Sequence, residues 1–328
     1  MLKLLKFTLA LAVALLAACG GGSSSPKSSL FDQPAAALVA PENGVWWNPA
    51  ESGRGFTIDV QGTQLALAMF MYEASGPAVW YAGALVQQAD NTFAGAVNRF
   101  SGGQSLAGSY KAPTGAALAA TVKLQFDSAK SGTLTFTPAG GAPTNVPIQR
   151  FALATGASQT PGLVIQSGIW WNPSESGRGF FIDSQGDQVS IGSYMYDETG
   201  QPVWYTTTGS LQIDGRSSGG AMLQFAGGQS LGGAYKAPTL ANGNVGWLSL
   251  VAHSGTTATL TLPNGKALPL TRFYFGSAGA GSITGTWQGV EVVTTSAPLA
   301  SSSTNQLGQV KGETLLASEA EAKAYYAG

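Results

Sequence analysis

The chain has 328 residues, a formal net charge of −1 and only 10% charged residues. Its lysines and arginines form no basic cluster, so a nucleic acid is not an expected partner, because phosphate binding needs many such residues. The single cysteine, Cys19, rules out an intrachain disulfide, and one histidine is too few for a zinc site without further cysteines. Low charge with abundant glycine, serine, threonine and β-branched residues is typical of an all-β protein outside the cytoplasm.

Residues 1–18 have the pattern of a signal peptide. Lys3 and Lys6 precede an apolar run, Phe7 to Leu16, that is too short to span a bilayer, which takes about 20 residues. The run ends in Leu16-Ala17-Ala18-Cys19-Gly20, which resembles the lipobox of bacterial lipoproteins. The resemblance implies cleavage before Cys19 and attachment of acyl chains such as palmitate to its sulfur and to the new amino terminus. Two or more acyl chains anchor a protein firmly to a membrane.

The same motif predicts where the protein is located. In lipoproteins of this kind an aspartate after the lipidated cysteine commonly marks retention at the inner membrane, and this chain has Gly20 there. We therefore expect a lipid-anchored protein of the outer membrane, whose body faces either the periplasm or the outside. Residues 19–40 are rich in Gly, Ser, Pro and Ala, which predicts a flexible tether between the anchor and the folded part.

One long segment occurs twice. It reads Trp-Trp-Asn-Pro-Ala-Glu-Ser-Gly-Arg-Gly-Phe from Trp46 and returns from Trp170 with serine in place of alanine. Two shorter segments also recur at nearly the same distance: Gly-Gly-Gln-Ser-Leu and Tyr-Lys-Ala-Pro-Thr. Such a period indicates two copies of one folded unit. We assign unit 1 to residues 41–153, a linker to 154–164 and unit 2 to 165–276.

Each copy contains about eight short runs with strand character, separated by glycine, proline and asparagine as hairpin loops require. We therefore predict an all-β fold of two tandem repeats, each made of antiparallel strands in a small barrel or a sandwich. The run Leu65 to Tyr72 is apolar on both faces, so we expect this strand to be covered on both sides.

The ends of each copy carry a further resemblance. Gly44-Val45-Trp46 and Gly168-Ile169-Trp170 open the units, and Arg150-Phe151 and Arg272-Phe273 close them. This resembles the calycin pattern of lipocalins and avidins, in which a Gly-x-Trp on the first strand lies near an arginine of the last strand. The resemblance favours a closed barrel in which the arginine stacks on the tryptophan through a cation–π interaction.

The tail, residues 277–328, is rich in Gly, Ser and Thr as far as about Thr304. Gly285-Thr286-Trp287 repeats the opening Gly-x-Trp without the rest of the motif, which indicates a strand added to unit 2. Ser318 and Glu321 form a capping-box pattern, and the alanines and glutamates around them favour a short peripheral helix near 318–326.

The repeated turn contains a carboxylate and a guanidinium three residues apart, Glu51 with Arg54 and Glu175 with Arg178. One interpretation is a local ion pair in a tight, glycine-rich loop. The other is a ligand site at the mouth of each unit, where the arginine binds a carboxylate or a sugar hydroxyl and a tryptophan offers a flat apolar platform.

Each copy also contains two pairs of adjacent aromatic residues, which are Trp46-Trp47 and Trp80-Tyr81 in the first copy. Adjacent residues of a strand point to opposite faces of the sheet. One member of each pair is therefore expected in the core, and the other on the outer face or the rim, where a large apolar residue often marks a contact. The candidate ligand-binding residues are therefore the two acid–arginine pairs and eight aromatic residues. They are Glu51, Arg54, Glu175, Arg178, Trp46, Trp47, Trp80, Tyr81, Trp170, Trp171, Trp204 and Tyr205.

We predict no catalytic residue, metal site or cofactor. His253 occurs in one copy only, so neither a Ser-His-Asp triad nor a histidine-containing metal site can be present in both copies. Glu51 with Asp59, and Glu175 with Asp183, are the paired carboxylates that a glycosidase needs. They keep a carbohydrate-active hydrolase as an alternative.

The repeated segment as a whole resembles the W-[WY]-[ND]-P-x-x-S-G-x-G-F module of secreted and lipid-anchored proteobacterial proteins, an uncharacterised repeat. The resemblance covers residues 44–151 and 168–273 and supports the repeat and the envelope location. We therefore expect two non-catalytic binding modules for a glycan, a small molecule or an envelope protein, and two copies permit bivalent binding. The alternative is a structural or adhesive surface lipoprotein in which the motif only defines the fold.

Overall fold

The computed structural model describes residues 39–153, 163, 165–275, 285–287 and 314–316. The predicted signal peptide, Cys19, most of the predicted tether and linker, and the predicted helix near 318–326 lie outside these residues. Within them every regular element is a β-strand, which confirms the all-β prediction. The described residues contain no helix of sufficient length and hydrophobicity to cross a membrane.

Unit 1 is a closed barrel, in which each strand pairs antiparallel with the next and the last pairs with the first. Its strands are β1 (Gly44–Trp47), β2 (Gly55–Gln61), β3 (Gln64–Tyr72), β4 (Ala78–Gln87), β5 (Phe93–Ser101), β6 (Gly115–Ser128), β7 (Ser131–Pro138) and β8 (Thr144–Arg150). Closure of the β1–β8 seam removes the sheet edges, which would otherwise be free to pair with other chains.

Unit 2 repeats this meander with one interrupted stretch. Its strands are β9 (Gly168–Trp171), β10 (Gly179–Gln185), β11 (Gln188–Tyr196), β12 (Pro202–Ser210), β13 (Ser217–Ala221), β14 (Gln224–Ala226), β15 (Thr239–Asn242), β16 (Trp247–Ala252), β17 (Thr257–Thr261) and β18 (Ala267–Arg272). The main sheet has the order β12-β11-β10-β9-β18-β17-β16-β13, and β14 pairs with β15 separately. Thr206 and Leu223 exchange two backbone hydrogen bonds, of 3.1 and 2.8 Å, so this barrel is nearly closed.

The tail contributes β19 (Gly285–Trp287) and β20 (Thr314–Leu316), which pair antiparallel with each other. The expectation that residues 285–287 add a strand to unit 2 is therefore wrong, because β19 and β20 form a separate two-stranded sheet.

Strand β3 shows how the two barrels share their packing. Its inward residues, among them Leu67 and Met69, belong to the core of barrel 1. Its outward residues Phe70 and Tyr72 are equally buried, but in the cluster that forms the core of unit 2. The prediction that this strand is covered on both sides is confirmed, and its second cover is the other unit.

Two ion pairs, exchanged between the units, lie at the seams where the barrels close. The carboxylate of Asp183 in unit 2 accepts hydrogen bonds from Nη1 and Nη2 of Arg150 in unit 1, at 2.7 and 2.5 Å. In the reverse direction, Asp59 in unit 1 accepts one from Nη2 of Arg272 in unit 2, at 2.5 Å. Both aspartate side chains are fully buried, and both arginine side chains nearly so. A buried charge is stable only when it is paired and hydrogen-bonded. Each unit therefore supplies the arginine that neutralises the buried aspartate of the other unit.

Backbone groups of the opening strands complete these pairs. The amide of Val45 donates to Asp183, and the amide of Ile169 donates to Asp59, both at 3.0 Å. Nη1 of Arg150 also donates to the carbonyl oxygen of Val45 at 3.0 Å. Each aspartate therefore binds both the first and the last strand of the opposite barrel, at the seam that closes it.

The calycin-like ends meet as expected, but their arginines are used differently. Trp46 lies opposite Arg150 in the β1–β8 ladder. The guanidinium packs against Gly44, where a Cβ atom would lie 2.0 Å from Cζ of Arg150, so only glycine fits. The expected stacking of arginine on tryptophan is wrong: the guanidinium binds the aspartate of the other unit, and the one described cation–π contact of these arginines joins Arg272 to Tyr274.

Replacing Asp59 with Asn keeps the shape of the side chain and removes its charge, which leaves Arg272 buried without a counterion. We expect the free energy of unfolding to fall by about 3–5 kcal/mol, the usual effect of breaking a buried ion pair. Chemical denaturation followed by tryptophan fluorescence measures this change.

The matched control is Asp90→Asn, because Asp90 pairs with Lys123 at the surface, where both side chains are more than half exposed. We expect no resolvable loss of stability there. Equal effects of the two substitutions would contradict the importance of the exchanged pairs.

Candidate ligand site between the two units

The main contacts between the units follow a pseudo-two-fold symmetry, in which a contact recurs with the units exchanged. Nε1 of Trp80 donates to the carbonyl oxygen of Met195 at 2.9 Å, and Nε1 of Trp204 donates to that of Met71 at 3.0 Å. An interface of this kind presents the same patch on both partners. The internal repeat thus forms, within one chain, the arrangement of a symmetric dimer.

The repeated Gly-Gly-Gln-Ser-Leu loops cross the interface. The amide of Tyr72 donates to the carbonyl oxygen of Gln229, and the amide of Tyr196 to that of Gln104, both at 3.3 Å. The loop passes so close that a Cβ atom on Gly103 would lie 2.1 Å from the ring of Tyr196. The glycines of this segment are therefore needed for contact with the other unit.

The repeated Tyr-Lys-Ala-Pro segments cross in the same way. A Cβ atom on Gly53 would lie 2.1 Å from Pro238 of unit 2, and one on Gly177 would lie 2.1 Å from Pro113 of unit 1. The glycine-rich turn of each copy is thus covered by the other copy. Sequence reasoning missed this interface, although two separate motifs repeated in both units are what a symmetric interface requires.

The acid–arginine pairs form the local ion pairs of the first interpretation. Arg54 binds Glu51 and Arg178 binds Glu175, and both arginines are buried. Burial lowers the pKa of both arginines, against the opposing charge of the glutamates.

Unit 2 adds further partners to its pair. The amide oxygen of Gln104, from unit 1, accepts from Nη1 and Nη2 of Arg178 at 2.8 and 3.1 Å. Burial opposes the ionisation of Glu175, but the hydrogen bond from Lys266 and the charge of Arg178 outweigh it, so the pKa of Glu175 lies below its ordinary value. In unit 1, Nε and Nη1 of Arg54 have no hydrogen-bond partner among the described residues.

The candidate glycosidase carboxylates have separate surroundings. Glu51 belongs to the glycine-rich turn with Arg54, whereas Asp59 binds Arg272 at the seam of the opposite barrel. The copy in unit 2 repeats this separation. No group of three His, Cys, Asp or Glu side chains suited to a metal ion occurs in the part of the chain that the structure describes.

One member of each aromatic pair lies in a barrel core, as expected, whereas the other lies at the interface between the units, which the sequence analysis did not predict. Trp46 and Trp170 are fully buried inside the barrels, and Tyr81 belongs to the core of unit 1. Their neighbours Trp47 and Trp171 are half-buried. Tyr205 is buried as well, together with Trp80 and Trp204, in the cluster that includes the core of unit 2.

Two clefts lie between the units and correspond to each other by the pseudo-two-fold symmetry. Cleft 1 has a volume of about 510 Å³, and its larger lining residues are Trp80 and Phe100 of unit 1 with Trp171, Arg178, Tyr194, Phe273 and Phe275 of unit 2. Cleft 2 has a volume of about 270 Å³, and the corresponding residues are Trp204 and Phe225 of unit 2 with Trp47, Arg54, Phe70, Phe151 and Leu153 of unit 1. Tyr72 lines cleft 2 in addition.

Half of the twelve candidate ligand-binding residues therefore line one of these two clefts. The sequence analysis expected a site at the mouth of each unit, and the structure instead brings these six residues together between the units. The other six, which do not line these two clefts, are Trp46, Glu51, Tyr81, Trp170, Glu175 and Tyr205.

A third cleft between the units is more polar. It has a volume of about 610 Å³ and is lined by residues that include Glu73, Arg99, Asp197 and Tyr205. Its arginine is already engaged, because Arg99 donates to Glu73 at 2.9 Å and to Gln201 of unit 2 at 2.8 Å. These contacts add a polar link between the units.

Comparison with known proteins adds no relative: no family model, no curated protein and no solved structure matches the chain.

Glu51→Gln separates the two interpretations of the repeated turn. A ligand site tolerates the change, whereas a buried ion pair does not, because the Arg54 side chain is only 1% exposed. We expect the free energy of unfolding to fall by about 1–3 kcal/mol, as when a buried charged hydrogen bond loses its partner. The control is Glu73→Gln, whose partner Arg99 is 31% exposed, and its loss should stay below about 1 kcal/mol. Unchanged stability in Glu51→Gln would contradict the ion-pair interpretation.

Proposed function

We propose that the protein is a lipid-anchored lipoprotein of the outer membrane whose two units together form one non-catalytic binding module for a small, largely apolar molecule. The observation that carries this proposal is cleft 1, an open groove of about 510 Å³ lined by aromatic rings from both units. Ligand pockets typically have volumes of about 300–1,000 Å³ and apolar, aromatic walls with a few polar groups. The anchor is proposed from the lipobox at Cys19, and both faces of the membrane are compatible with it.

The lining of cleft 1 favours an uncharged ligand. Arg178 is its one charged lining residue, and Glu175 and Gln104 already occupy the guanidinium. The lining of cleft 1 also contains two side-chain amides, those of Gln64 and Asn98. Two such hydrogen-bonding groups are enough to orient a ligand in the cleft. A glycan needs many more hydrogen-bond partners, so an apolar small molecule suits the cleft better than a sugar.

A second candidate is a structural or adhesive surface lipoprotein in which the repeated motif only defines the fold. It is favoured by the burial of Arg54 and Arg178 and by the contacts of both repeated loops with the opposite unit. The two candidates differ on whether cleft 1 is occupied in the cell. A carbohydrate-active hydrolase, the third alternative, draws support only from the sequence pairing of Glu51 with Asp59 and of Glu175 with Asp183.

Native mass spectrometry of the protein, gently extracted from its own envelope, tests the proposal. We expect a bound small molecule in the wild type and its loss in Ala84→Phe. Ala84 is an exposed residue of β4 that lines cleft 1, so a phenyl ring there fills the cleft without entering the barrel core.

The matched control is Thr208→Phe, which makes the equivalent change on β12 in cleft 2. It should retain the bound mass. A wild type without bound mass, or a bound mass retained in Ala84→Phe, would contradict the proposal and favour the structural candidate.

A further inference from the structure

The two clefts share most of their aromatic residues. Trp80 and Phe100 stack in cleft 1 with centroids 5.4 Å apart and an interplanar angle of 22°, and the equivalent pair in cleft 2, Trp204 and Phe225, stacks at 6.0 Å and 23°. Trp171 meets Phe273 edge to face at 5.0 Å, as Trp47 meets Phe151 at 5.2 Å in cleft 2.

A stacked pair separates the two clefts. The rings of Phe70 and Tyr194 lie face to face, with centroids 5.0 Å apart and an interplanar angle of 6°. Phe70 lines cleft 2 and Tyr194 lines cleft 1. The hydroxyl of Tyr194 is engaged by that of Thr57 at 2.5 Å, so it offers little to a ligand. Apart from Phe275 of cleft 1, whose place Leu153 takes in cleft 2, and Tyr72, which lines cleft 2 only, equivalent rings surround both clefts.

The floors of the clefts do distinguish them. Cleft 1 rests on two cross-strand pairs of strands β3 and β4, Ala66 opposite Ala84 and Ala68 opposite Ala82. Cleft 2 rests on the equivalent pairs of strands β11 and β12, which are Ser190 opposite Thr208 and Gly192 opposite Thr206. Three of the four floor positions thus change from a methyl group to a hydroxyl-bearing side chain between the clefts.

This difference has a direct consequence for binding. An apolar ligand on the floor of cleft 1 covers only methyl groups, and the burial of apolar surface is favourable. The same ligand on the floor of cleft 2 removes the hydroxyls of Thr206 and Thr208 from water without giving them partners, and it also covers the hydroxyl of Ser190, which is already largely buried. The loss of hydration lowers affinity. The larger threonine side chains also occupy space, in line with the smaller volume of cleft 2, about 270 Å³ against 510 Å³.

We infer that cleft 1 alone binds apolar ligands and that Ala66, Ala82 and Ala84 are the residues that determine this specificity. The inference rests on the proposed function and adds the ligand class, a stoichiometry of one per chain and the side chains responsible. The equivalent hydroxyls of Ser190, Thr206 and Thr208 exclude the same ligand from cleft 2.

The test is an exchange of the two floors. The probe is N-phenyl-1-naphthylamine, a neutral aromatic molecule whose fluorescence rises in apolar surroundings, titrated into the full mature chain made without acylation by Cys19→Ser. The wild type should bind one probe per chain. In the variant A66S/A82T/A84T the Kd should rise about ten-fold or more, because hydroxyls lose their water on binding. In S190A/T206A/T208A the stoichiometry should rise to two.

Folding is checked by thermal melting of each variant. All exchanged residues line clefts outside the barrel cores, and Ala84→Thr alone, at an exposed position, replaces the triple variant if that one does not fold. Two equivalent sites in the wild type, or a Kd unchanged by the floor exchange, would overturn the inference and leave the proposed binding function intact. No binding by the folded wild type would overturn both.

Discussion

The arrangement of the two units depends on two aspartates that water does not reach. Asp59 and Asp183 are fully buried, and each meets the arginine that closes the opposite barrel. Neither unit alone contains the partner of its own aspartate, so separation of the units would leave buried charges exposed or unpaired. The same pairs also explain why glycine is needed at position 44. The guanidinium of Arg150, turned toward the neighbouring unit, packs on Gly44 and leaves no space for a larger side chain.

The repeat and the symmetry explain which positions are alike in the two copies. Several residues that pack across the interface are identical, as with Trp80 and Trp204, because each must satisfy the same geometry. The floors of the clefts differ at three of their four positions, as with Ala82 and Thr206. Most of the aromatic walls of the clefts are therefore common to both copies, and the floors are where the copies differ.

The parts of the structure that depend on local sequence could be predicted, and those that depend on distant partners could not. The pairing of Glu51 with Arg54 requires only three residues of loop. The two-sided burial of β3 follows from its apolar pattern, but the pattern does not identify the cover. Asp59 looked like a candidate catalytic carboxylate because its partner, Arg272, is remote in the chain. The break between β13 and β14 likewise depends on a partner outside the local sequence, because Leu223 pairs with Thr206 of β12.

The central claim is that the exchanged charges make the two units one cooperative body, and differential scanning calorimetry tests it most directly. If neither unit is stable without the other, the protein unfolds in a single transition whose calorimetric enthalpy equals its van't Hoff enthalpy. Two separate transitions, or a calorimetric enthalpy about twice the van't Hoff value, would show that each barrel unfolds on its own. The interface would then be a contact between independent domains, and the account given above would be wrong.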